Sequence, residues 1–149
     1  MLRRILVPID DTTLADKVLD HALTIAERFG AHLHVLYVRG ETRPQTIDDQ
    51  ARDEAEFYAE IEGVRQTALD RLRQGHTLPA DHVHATVLTG APVEGILTAA
   101  EDLHADLVVM GTHGRQGLAD RLFGSTTERV LREGRTSLWV VREDPPEPG

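Results

Sequence analysis

Apolar runs and helical periods take turns along the chain. Ile5-Leu6-Val7-Pro8-Ile9 is continuously apolar, as expected of a strand buried on both faces. From Thr13 the period lengthens, so that Leu14, Val18, Ala22, Ile25 and Phe29 fall on one helical face, with Gly30 as a C-terminal stop. His32 to Val38 reads as a second strand. A polar loop from Arg39 to Thr46, containing Pro44, leads into a long charged helix with the apolar stripe Ile47, Ala51, Ala55, Tyr58, Ile61, Ala68 and Leu72; Gly63 is a candidate break within it. His82 to Leu88 predicts a third strand. Pro92 opens a helix carrying Ile96, Ala100 and Leu103, and Asp106 to Met110 predicts a fourth strand. Ser125-Thr-Thr-Glu128 has capping-box form ahead of Val130 and Leu131, and Ser137 to Arg142 predicts a fifth strand.

Strands alternating with helices, without an internal repeat or a dividing linker, predict one doubly wound α/β domain over residues 1–142. Its sheet has five parallel strands with helices on both faces, in a Rossmann-like arrangement. Residues 143–149, with three prolines and three acids, read as a disordered acidic tail. Ligands of such folds bind outside the carboxyl ends of the strands, where strand order reverses. Pro8, Ile9 and Asp10 at the end of the first strand and Met110 and Gly111 at the end of the fourth are therefore the expected walls of a pocket.

Composition narrows the partners. The chain has 149 residues, of which 40% are hydrophobic, enough for a single core burying roughly two-thirds of the unfolded surface. A formal net charge of −9, with no basic cluster larger than Arg3-Arg4, disfavours nucleic acid and anionic membrane surfaces. Any nucleotide has to be held locally, against the overall field. The absence of cysteine removes disulfides, cysteine zinc sites and thiol nucleophiles. Met-Leu-Arg-Arg precedes an apolar stretch too short for a signal-peptide core, and no span reaches transmembrane length. A cytoplasmic location is the expectation.

The chemistry concentrates after the fourth strand. Gly111-Thr-His-Gly114 is followed, after nine intervening residues, by Gly124-Ser125, a spacing that composition alone produces in roughly one chain in a hundred. Glycines there let backbone amides approach a ligand, and Gly124-Ser125 opens a helix N-terminus, where unpaired N–H groups and the helix dipole favour an anion. No Gly-Lys-Ser/Thr occurs, so this is not a Walker A loop. Backbone and hydroxyl donors replace the dedicated lysine.

These residues resemble the universal stress protein family, in its ATP-binding branch. The resemblance covers nearly the whole chain: Ile5-Leu-Val-Pro-Ile-Asp10, Leu36-Tyr-Val38, Thr89-Gly-Ala-Pro92, Ala105-Asp-Leu-Val-Val-Met-Gly-Thr-His-Gly114 and Gly124-Ser-Thr-Thr-Glu128. It implies a sheet ordered 3-2-1-4-5, a homodimer, and ATP or a related adenine nucleotide, with Mg2+, in the cleft. By position, Pro8, Asp10 and Val38 border adenine and ribose, Met110 and Gly111 the ribose side, and Gly114, Gly124, Ser125 and Thr126 the phosphates. The chain departs from the family pattern in three places. Asp11-Thr12 replaces a small Gly-Ser pair, Thr126 replaces a valine, and Ser137-Leu138 replaces Pro-Val before the last strand.

Several of these residues have a purely structural role open to them. Asp10 either contacts the nucleotide and its magnesium or caps the following helix. Ser125 can do both. Gly111, Gly114 and Gly124 either admit a ligand or form turns. Arg115, like His113 and Arg121, either neutralises phosphate or is solvated surface. His32 and His34, with His82 and His84 on the neighbouring strand, are i, i+2 pairs away from the ligand end; partly exposed histidines, without a metal, are the favoured reading. No nucleophile triad, His-Glu-x-x-His or paired-carboxylate motif stands out. Binding, with at most slow hydrolysis, is favoured over a magnesium-dependent ATPase or phosphotransferase, and over a dimeric interaction module that takes no nucleotide.

Overall fold

Every predicted strand and helix is present, in the predicted order. A computed structural model of the chain describes residues 1–10, 12–40, 47–112 and 125–143, with backbone alone over 47–53. The elements are β1 (Arg4–Ile9), α1 (Leu14–Phe29), β2 (His32–Arg39), α2 (Ile47–Leu72), a short 3-10 turn (Ala80–His82), β3 (Val83–Thr89), α3 (Pro92–Asp102), β4 (Leu107–Thr112), α4 (Ser125–Glu133) and β5 (Ser137–Arg142). The strands form one parallel sheet in the order 3-2-1-4-5. The acidic tail expected from the sequence lies outside the described residues, apart from Glu143.

Alternation along each strand divides the core in two. Ile5, Val7, Leu33, Val35 and Val109 pack with Leu19 and Leu23 of α1 and with Leu69 of α2. On the other face Leu6, Leu36, Val108 and Met110 pack with Val93 and Ile96 of α3 and with Val130 of α4. Burial on both faces is why the central strands β1, over Ile5–Ile9, and β4, over Leu107–Met110, are apolar without a break.

The structure corrects four local expectations. Gly63 does not interrupt α2, which runs unbroken from Ile47 to Leu72, because the cost of one helical glycine, about 1 kcal/mol, is outweighed by burial of Ala68, Leu69 and Leu72 beyond it. The stripe of α2 is rotated by one position at Tyr58, which is 70% exposed, while Phe57 turns inward beneath the Arg39 guanidinium, 5.0 Å from its ring centre. Phe29 is 52% exposed because the last turn of α1 buries Ala26 instead. Finally, β3 starts at Val83, one residue late, and β4 continues through Gly111 and Thr112, two residues past the predicted end.

Candidate functional site

The cleft starts where β1 and β4 stop pairing. Ile5 stands opposite Leu107 and Leu6 opposite Val108, and the registered pairing ends there. On its other side β1 pairs with β2 as far as Ile9 and Tyr37, and β4 pairs with β5 as far as Thr112 and Arg142. Pro8 contributes to the separation, since it has no N–H to give to a ladder. Two adjacent parallel strands therefore part at their carboxyl ends, at the point where the chain order reverses.

Pro8, Val38 and Met110 sit on the face of the sheet that carries α3 and α4, sharing strand parity with Leu6, Leu36 and Val108. Val38 is held by close approach of α3: a Cβ on Gly95 would lie 2.9 Å from its Cγ2 atom. Ile9 alternates to the α1 face and packs against the core there. Asp10, exposed at the strand end, accepts bonds at Oδ1 from the Thr12 amide (3.0 Å) and hydroxyl (2.5 Å). That is an Asx turn, so Asp10 shapes the β1–α1 connection. Thr13 makes no side-chain cap on α1.

Gly111 has a structural requirement that its motif spacing does not reveal. A Cβ there would stand 2.6 Å from Leu14 Cδ2 and 3.1 Å from Val18 Cγ2, so any side chain at this position requires Leu14 to shift and Val18 to give way where α1 rests on β4. Its carbonyl accepts a 2.9 Å bond from the buried Thr127 hydroxyl. This bond pins the first turn of α4 to the end of β4. Ser125, exposed, and Thr126, half-buried, consequently start a helix whose leading amides lie at the cleft end of the sheet. The capping box is not formed as expected, since Ser125 is already the first helical residue and Glu128 pairs with Arg132 at 2.6 Å. Gly114, Arg115 and Gly124, together with His113 and Arg121, lie outside the described residues.

Sequence reasoning missed Thr127, though burial of Thr127 with Val130 one helical turn later was readable from the short amphipathic pattern of α4. It also missed Lys17, whose ammonium donates to the Arg142 carbonyl at 2.7 Å and ties α1 to the end of β5. At the opposite end of the sheet, Asp106 Oδ2 accepts the Arg3 and Arg4 amides at 2.8 and 3.0 Å. These two backbone bonds and the neighbouring positive charges hold its carboxyl below the usual aspartate range. His32 and His34 of β2, His84 of β3 and His82, which the structure puts in the 3-10 turn before β3, come together there, but among the described residues no group of three or more His, Cys, Asp or Glu is placed to hold a metal ion.

The chain is a doubly wound α/β domain in which β1–β4 pairing ends at the switch point beside a helix N-terminus, the place where ligands of such folds bind. The universal stress protein family matches residues 1–142, and the chain belongs to that family. It is 31% identical to the universal stress protein MJ0531 of Methanocaldococcus jannaschii, over 96% of this chain and 84% of that one. Among solved structures it is similar to the universal stress protein UspA from Lactobacillus plantarum, at 26% identity and a TM-score of 0.70, covering 94% of this chain and 97% of that one. It is also similar to a universal stress protein in complex with cAMP, at 25% identity and a TM-score of 0.68, with 93% and 95% covered. Among the described residues no helix is long and apolar enough to cross a membrane.

Proposed function

We propose that this universal stress protein binds ATP, or a related adenine nucleotide, with Mg2+ in the β1–β4 cleft. It acts there as a nucleotide-responsive regulator with at most slow hydrolysis. The observation that carries the reading is the parting of β1 from β4 after Leu6 and Val108, beside an α4 N-terminus pinned by Thr127 to Gly111. Half-buried Pro8 and Val38 offer an apolar surface suited to a base, with Met110 buried in the core on the same face of the sheet. The Ser125 and Thr126 amides and hydroxyls suit phosphate oxygens, and Gly114, Gly124 and Arg115 complete the cradle in this reading. The cAMP complex of a relative supports an adenine nucleotide as the class of ligand. Magnesium arrives with the nucleotide, since Asp10 is engaged with Thr12. We place the protein in the cytoplasm.

Calorimetric titration of nucleotide-free protein with ATP and Mg2+ tests the reading. At one hundred times the dissociation constant a ligand of the folded state adds about 2.7 kcal/mol, which raises the melting temperature by roughly 5–10 °C at about 2–4 °C per kcal/mol. Absence of heat and of any shift at millimolar ATP would leave a second reading, a dimeric interaction module. That reading has an observation in its favour, because the packing of Leu14 and Val18 accounts for Gly111 without a ligand.

The proposed dimer uses β5, an edge strand with β4 as its neighbour in the sheet. Trp139 is 46% exposed on it and donates to His21 Nδ1 at 3.2 Å, leaving an apolar edge suited to pairing with a second copy. Val140→Lys is expected to give monomer or aggregate by light scattering. An unchanged dimer would place the interface elsewhere.

A further inference from the structure

The cleft makes no use of the histidines at the amino ends of β2 and β3. His34 stands opposite His84 in register, and His82 closes the 3-10 turn that leads into β3. Their imidazoles form a continuous stack, with centroids 4.1 Å apart from His82 to His32, 5.2 Å from His32 to His84 and 4.7 Å from His84 to His34. Adjacent rings lie within 13° to 20° of parallel. His32 Nδ1 and His84 Nε2 are 2.9 Å apart. One of these nitrogens donates and the other accepts, so a single hydrogen lies between them. His82 Nδ1 donates to the Ala31 carbonyl at 3.1 Å.

The surroundings are poor in compensating charge. Arg4 of β1 acts on His34, Arg65 of α2 acts on His84, and Asp81 of the 3-10 turn is the carboxylate acting on His84. Burial, then the charges of His84, His32 and Arg4, pushes His34 down to about 4. Burial, then His32, His82 and Arg65, also lowers His84, with Asp81 opposing.

We propose that the imidazole stack is an acid-released latch that fastens the start of β3 to β2 while its rings are neutral. The proton count across the His32–His84 contact is its trigger. A first proton from solvent, added at the outward nitrogen of the ring that donates, leaves the shared hydrogen bond intact as an imidazolium–imidazole pair. A second puts N–H groups on both facing nitrogens and sets two cations between Arg4 and Arg65. The contact then has to open. What opens with it is the 3-10 turn and the first residues of β3, an edge strand that has β2 as its neighbour in the sheet. Because the folded-state pKa values of His34 and His84 lie below the ordinary histidine value, the latch contributes fully above about pH 6.5. Its contribution is lost as pH falls below that value.

The test uses the full chain, with EDTA present. Imidazole titration by NMR is expected to show His32 and His84 coupled rather than independent. Amide exchange at His84 and Ala85, corrected for intrinsic rate, is expected to accelerate at least tenfold more than in β1 and β4 between pH 7 and pH 5. In His32→Gln/His84→Gln that difference disappears, and the melting temperature falls less with acid than in wild type. If the double variant does not fold, His34→Gln, which removes a ring but leaves the contact, is expected to retain the coupled titration with a shallower acid dependence. Four independent titrations near pH 6.5, or equal acid dependence in wild type and variant, would overturn the latch.

Discussion

The two ends of the β1–β4 seam are built in opposite ways from the same pair of strands. At the amino end Asp106 accepts both the Arg3 and Arg4 amides, and its own amide returns a 2.8 Å bond to the Arg4 carbonyl. At the carboxyl end the strands part after Leu6 and Val108, Pro8 has no amide to offer, and the link across to α4 is the Thr127 hydroxyl on the Gly111 carbonyl. A closed amino end lets the carboxyl end stand open without loss of register. Side chains lace backbone at the closed end, and binding is proposed at the end where the strands part.

That division predicts two classes of variant, and the largest effect belongs to the open end. In the proposed site, Gly114→Val puts a branched side chain where backbone has to approach phosphate. Losing several amide contacts to an anion is expected to weaken ATP binding by orders of magnitude, with the fold retained by circular dichroism and the proposed dimer by light scattering. Ser125→Ala removes one hydroxyl and leaves the helix amides, so its loss is smaller. If folded Gly114→Val protein binds ATP like wild type, the glycine loop is structural and the two ends do not differ in the way proposed.

Gly111→Ala sharpens the contrast, because it lies in the same motif but acts on packing. The added methyl meets Leu14 and Val18, and overpacking of this kind costs about 1–3 kcal/mol. The melting temperature should fall by roughly 2–12 °C with nucleotide absent. A variant as stable as wild type would show that α1 shifts freely against β4.

These two glycines also mark how far the sequence could be read. The central strands β1 and β4 were legible because burial on both faces leaves an uninterrupted apolar signal, and the sheet order 3-2-1-4-5 implied by the family resemblance is the one observed. The helix faces were legible to within one residue. Tyr58 and Phe57 are both aromatic and adjacent, and Arg39, which decides between them by covering Phe57, lies on another element. Gly111 was found by spacing, but the reason for it depends on how closely α1 approaches β4, a tertiary distance that no local pattern encodes. The end of pairing after Leu6 was hidden for the same reason, although Pro8 hinted at it.

Thr127→Val tests the bolt at the open end. The substitution keeps the shape of the side chain and removes the hydroxyl, leaving the Gly111 carbonyl without this donor. Loss of such a buried bond costs about 1–2 kcal/mol. In the proposed function the loss carries over to binding, because the α4 amides are no longer fixed beside the cleft. Urea unfolding and ATP titration of the same variant separate the two effects, and a change in stability with unaltered affinity would detach α4 from the ligand.

The smallest effect is expected at the laced end. Asp106→Asn can keep an oxygen facing the Arg3 and Arg4 amides but removes the charge, so the bonds persist in weakened form. The group is partly exposed and screened, which limits the loss at neutral pH to less than about 1 kcal/mol. The sign with pH is definite. Because the two backbone bonds lower the Asp106 pKa in the fold, its stabilisation is fully present above the ordinary aspartate value of about 3.9 and is lost as pH falls through the lowered folded value. Urea midpoints measured from pH 5 to pH 2 should therefore start lower in the variant and converge with wild type at the acid end. Parallel curves would mean that the two amide bonds do not depend on charge, and that the amino end is held by its backbone ladder alone.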